Sequence, residues 1–77
     1  MKKCSWTKRG SDSWYGACGG RVNWVSTHVT KERGSYICTA WKPDPRVVGG
    51  KSVSRKTVKG SASQARKACE RLARKKL

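Results

Sequence analysis

The chain has 77 residues, with 19 Lys+Arg against 4 Asp+Glu and a formal net charge of +15. A chain this short buries only roughly 60% of its unfolded surface, which excludes a second domain and disfavours a large enclosed enzyme pocket. Leu and Ile are scarce and Phe is absent, a pattern close to that of disordered chains, but four Trp, two Tyr and four Cys restore enough apolar surface for one folded domain over residues 1–77.

The first twenty residues scatter Trp6, Trp14, Tyr15, Ala17 and Cys18 among glycines and serines. Residues 1–12 read as a flexible segment, with room for a short extra N-terminal strand around Trp14 to Cys18. From Val22 to Val29 the chain places Val22, Trp24, Ser26 and His28 on one face and Asn23, Val25, Thr27 and Val29 on the other, the period of a strand. Thr30 to Ser35 is polar and short enough for a hairpin connection. Tyr36, Cys38 and Ala40 then alternate with Ile37, Thr39 and Trp41 until Pro43-Asp44-Pro45, where the prolines have no N–H to continue a ladder. Gly49-Gly50 permits a turn into a third strand over Lys51 to Val58.

Ser61 followed by Gln64 matches a capping box, and Ala65, Ala68, Cys69, Leu72 and Ala73 recur behind it at helical spacing. Arg66, Lys67, Glu70, Arg71, Arg74 and Lys75 occupy the other face, so the helix is cationic and amphipathic. These elements predict an α+β fold, a three-stranded antiparallel meander (sheet over residues 21–59) packed on one C-terminal helix (residues 62–76). The small residues of the helix stripe match the small pair Cys38 and Ala40, which predicts that Cys38 faces Cys69.

No apolar run approaches the ~20 residues of a membrane span. Met1-Lys2-Lys3 leads into Cys4-Ser5-Trp6-Thr7 without a secretory apolar stretch, which predicts a cytoplasmic protein with no membrane span. Cys4, Cys18, Cys38 and Cys69 are then expected as buried thiols, although an oxidising compartment would allow three pairings. No two cysteines are close enough for a usual zinc pair, and even with His28 as a further ligand no metal or cofactor is expected.

An enzyme is not expected either. His28 stands alone, and Asp12, Glu32, Asp44 and Glu70 fall in separate segments. Gly49-Gly50-Lys51-Ser52 lacks the first glycine and the strand-to-helix context of a phosphate loop. What remains is cationic charge interleaved with aromatic rings. Lys8, Arg9, Arg21, Arg33, Lys42, Arg46, Arg55, Lys56 and Lys59, with Trp14 and Trp41, are the candidate nucleic-acid-binding residues. Lys and Arg neutralise phosphates, and rings meet sugars or bases. Duplex DNA is the favoured partner and RNA the next. The alternative is an acidic host protein docked on exposed aromatic anchors. One or two of Trp14, Trp24 and Trp41 must in any case anchor the sheet–helix interface.

The run from Arg33-Gly34-Ser35-Tyr36-Ile37-Cys38-Thr39-Ala40-Trp41 through the basic third strand to Ser61-Ala62-Ser63-Gln64-Ala65-Arg66-Lys67-Ala68 resembles the AP2 and integrase N-terminal type of DNA-binding domain. That resemblance implies a three-stranded sheet laid in the major groove and a helix buttressing its back. Ser5-Trp6-Thr7-Lys8-Arg9 with Trp14-Tyr15-Gly16-Ala17 resembles the opening strand pair of phage-associated members, and the chain as a whole resembles small phage-encoded proteins. Lys56 to Ala73 is also similar to the closing strand and helix of double-stranded-RNA-binding domains.

Overall fold

A computed structural model describes residues 4–20 and 23–77. Among the described residues five strands, β1 (Cys4–Lys8), β2 (Ser13–Gly19), β3 (Trp24–Glu32), β4 (Ser35–Pro43) and β5 (Lys51–Val58), precede one helix, α1 (Ala62–Arg74). The strands form one antiparallel sheet whose spatial order repeats the chain order, β1-β2-β3-β4-β5. The fold is therefore α+β, as the sequence indicates, with a wider sheet than the expected three strands. The extra N-terminal strand expected around Trp14 lies within β2, and β1 occupies part of the 1–12 segment read as flexible. Val22, the expected start of the next strand, lies outside the described residues.

Alternation along the strands sorts the side chains into two faces. Trp14 and Cys18 on β2, Val25, Thr27 and Val29 on β3, and Tyr36, Cys38 and Ala40 on β4 are buried under the helix. Ala65, Cys69 and Ala73 are the buried residues of α1. Leu72 packs against both halves of the core, one built around Trp14, Val29, Tyr36, Cys38 and Cys69, the other around Cys18, Val25, Ala40 and Ala73. Small side chains at Ala40, Ala65 and Ala73 let the helix backbone approach the sheet closely, and α1 rests mainly on β3 and β4.

Local chemistry fixes the connections. Arg33 and Gly34 both take positive φ, 51° and 80°, which is the two-residue turn whose twist suits a β-hairpin. At the helix start the Gln64 N–H donates to Ser61 Oγ and the Ser61 N–H donates to Gln64 Oε1, the expected reciprocal cap. Between β4 and β5 the Asp44 N–H donates to the Gly50 carbonyl and the Gly50 N–H to that of Val47, so the loop holds its own shape.

The cysteines require a correction. Cys38 and Cys69 do face each other and are fully buried, but they are joined in a disulfide, and Cys4 is joined to Cys18. Among the described residues no free thiol is present. Cys4 and Cys18 are direct partners in the β1–β2 register, which the uneven sequence spacing conceals. The reading of reduced thiols followed from a cytoplasmic setting, whereas disulfides persist in oxidising compartments. Among the described residues no helix is long and apolar enough to cross a membrane.

Candidate nucleic-acid interface

The helix covers one face of the sheet and leaves the other bare. Strand register sets out that open face in rows. One row runs Thr7, Tyr15, His28, Thr39, Arg55, and the next Ser5, Ala17, Ser26, Trp41, Val53. On the far side of the first row lie Ser13, Thr30, Ile37 and Thr57, while Trp24 and Lys51 fall beyond the second. Tyr15 is 46% exposed, Trp24 40% and Val53 55%, so the described residues leave apolar and aromatic surface uncovered here.

Tyr15 and His28 are cross-strand neighbours whose rings stack at 4.3 Å between centroids and 15° between planes. Burial lowers the His28 pKa below its ordinary value, which favours the uncharged imidazole. The stack uses one face of each ring and leaves the other face of the phenol and of the imidazole for a further ring. Around it stand the hydroxyls of Thr7, Thr30 and Thr39, able to donate or accept.

The structure distributes the sequence-predicted residues unevenly. Arg55 and Trp41 lie on the open face. Lys56, one residue along β5, points to the helix side and lines a cleft of about 180 Å³ with Arg71, Leu72 and Lys75. Lys42 and Arg46 are brought together at the end of the sheet, in a cleft of about 440 Å³ shared with Asp44, Ser52, Lys75 and Lys76. There the Lys42 ammonium donates to the Lys76 carbonyl at 3.3 Å and the Lys76 ammonium to Ser52 Oγ at 2.8 Å. The Arg46 backbone N–H and guanidinium donate to Asp44 Oδ1 and hold that carboxyl below its usual range. Lys75 lines both clefts, which makes a cationic border along the β5–α1 seam.

Lys8 sits on the helix side over Trp14, 5.7 Å from the ring centroid, with Arg66 at 5.3 Å. Trp14 itself is 9% exposed and belongs to the core, so the expectation of Trp14 as a binding ring is corrected: its β2 position turns it under the helix, against Tyr36. Arg9 lies in the β1–β2 connection, Arg33 in the β3–β4 turn and Lys59 between β5 and α1. Arg21 lies outside the described residues. Tyr15, His28 and Lys51 join Arg55 and Trp41 on the open face without having been singled out. His28 shares the β3 parity of Trp24 and Lys51 the β5 parity of Arg55, whereas Tyr15 on β2 is placed there by its pairing with His28.

Neither protein-family models, nor curated proteins, nor solved structures give a match to the chain.

Proposed function

We propose that this chain is a nonenzymatic nucleic-acid-binding module whose contact surface is the helix-free face of the sheet. The observation that carries the reading is the uncovered row Tyr15, His28, Thr39, Arg55, flanked by Trp41 and Trp24, on a chain with net charge +15. Stacked rings supply surface for bases or sugars, and Arg55 and Lys51 on β5 supply phosphate contacts. The fixed, mutually repelling positive charge favours a polyanion as partner. The two disulfides favour an oxidising setting.

A mobility-shift titration at two salt concentrations tests the reading. Binding should weaken as salt rises, with a log–log slope of about −0.9 per phosphate neutralised on duplex DNA and about −0.7 on single strands. Arg55→Ala should weaken binding to every sequence and flatten the slope by about one unit, while Arg71→Ala on the helix side should change it little. The reverse ranking would move the contact to the β5–α1 seam. No binding to any nucleic acid at low salt would favour the acidic host protein instead.

A further inference from the structure

Resting on that reading, we propose that the ligand of the open face is a single-stranded nucleic acid, with bases stacked on Tyr15, His28 and Trp41 and phosphates held along β5 by Lys51 and Arg55.

The argument begins with what the face offers. In a duplex the base faces are stacked on one another, leaving only edges and phosphates for a protein. Edges are read chiefly by Arg, Lys, Asn and Gln, which supply fork or amide hydrogen bonds. Among the described residues the open face has only Lys51 and Arg55 of that set, both on the outermost strand β5. The interior strands β2, β3 and β4 carry rings instead, Tyr15, His28 and Trp41. A ring face binds a base face, and a base face is exposed only in an unpaired strand.

Shape leads to the same ligand. Strands about 4.8 Å apart give a five-stranded sheet a breadth of roughly 19 Å. The major groove is about 12 Å wide and admits a two-stranded ribbon or one helix. A duplex laid on this sheet would meet β1 or β5 with its backbone before Tyr15, His28 and Trp41 could all reach bases. An unpaired strand has no second backbone to collide with.

Charge completes the match. The row that holds the stacked pair continues through Thr39 to Arg55, so a base over Tyr15 and His28 can place its phosphate toward β5. By strand parity the one carboxylate on this face, among the described residues, is Glu32, at the β3–β4 hairpin end and away from β5. Phosphates along β5 therefore meet cations and hydroxyls.

The test is fluorescence anisotropy with a labelled single-stranded DNA of about 16 nucleotides, an RNA of the same sequence, and the matching duplex DNA. Both single strands should bind at least about ten-fold more tightly than the duplex. The two should agree within about three-fold, because rings and cations meet base faces and phosphates rather than the 2′-hydroxyl. Tyr15→Ala should weaken single-strand binding by about ten-fold, with Tyr15→Phe retaining it. Tyr15 is half exposed, so circular dichroism of the Tyr15→Ala variant should match the parent; Trp41→Ala gives a second, independent loss. Equal or tighter duplex binding would overturn the single-strand inference and leave the nucleic-acid reading standing, as would an unaltered affinity in Tyr15→Ala. Loss of binding to DNA but not RNA would overturn recognition by rings and phosphates alone. Failure of all three ligands to bind would overturn the nucleic-acid reading itself.

Discussion

The Trp6 ring occupies the space that a side chain on Gly16 would need. The two are register partners on β1 and β2, and a methyl group added at Gly16 would stand 2.9 Å from Trp6 Cε3, 3.0 Å from Thr27 Oγ1 and against the Ser5 carbonyl oxygen. The last of these is backbone and cannot swing aside. Gly16→Ala should therefore destabilise the fold by about 1–3 kcal/mol through overpacking. Gly20→Ala, where a methyl group would meet nothing within 4 Å, should melt close to the parent temperature. Equal melting temperatures for both variants would show that β1 does not pack on β2 in this register.

Disulfide removal should cost more than any single thiol would suggest. Cys38 and Cys69 are separated by 31 positions, and closing a loop of that length restricts the unfolded chain by roughly 3–4 kcal/mol. For a domain with only a few kcal/mol of stability, Cys38→Ala with Cys69→Ala should leave a largely unfolded chain. Cys4→Ala with Cys18→Ala, across a separation of 14, should remove about 3 kcal/mol. Intact mass spectrometry should find the chain lighter by two hydrogens per bridge than after reduction. A melting temperature indifferent to reductant would contradict both bridges.

Acidification should weaken the fold through His28. Its pKa is lowered by burial in the folded state, so between that value and about 6.5 the unfolded chain binds the extra proton and the folded chain does not. This contribution is fully present above about pH 6.5 and declines as pH falls toward the folded pKa, after which it is flat. Thermal melts from about pH 7 to pH 5 should show the decline, and His28→Gln should remove that part of the slope. An identical profile in His28→Gln would dismiss the stacked, neutral imidazole.

Arg33 sits at φ 51°, a left-handed conformation that costs most residues roughly 1 kcal/mol and that Asn adopts more readily. Arg33→Asn should raise stability by about 0.5–1 kcal/mol, read as a rise of a few degrees in melting temperature. Arg33→Val should lower it. A fall with Asn would mean that the Arg33 side chain, rather than its backbone, holds the turn.

Much of this architecture is written locally. Val25, Thr27 and Val29 against Trp24, Ser26 and His28 announce β3 by period alone, and Ser61 with Gln64 marks the helix start to the residue. β1 was harder to read, because Cys4, Trp6 and Lys8 alternate over only five residues before Gly10 and because Lys8 does not look inward-facing until Trp14 is there to receive it. The Cys38–Cys69 contact followed from two matching small-residue stripes; Cys4–Cys18 depends on a register that only pairing reveals. At the site the loss was of a different kind. Charge is additive along a sequence, but Arg55 and Lys56 point to opposite sides of one strand, and the cations read together as one surface divide into an open face, a seam and a turn.

Bridge order along the chain bears on how it is made. First pairs with second cysteine and third with fourth, each partner lying ahead of the next pair in the direction of synthesis. A polypeptide emerging from its amino end exposes Cys4 and Cys18 before Cys38 exists outside the ribosome, and by the time Cys69 appears Cys38 is the one thiol left to meet it. Of the three possible connectivities, the native one is what oxidation in order of arrival produces. Among these four cysteines, oxidation in order of arrival therefore reaches the native pairing without a reshuffling step.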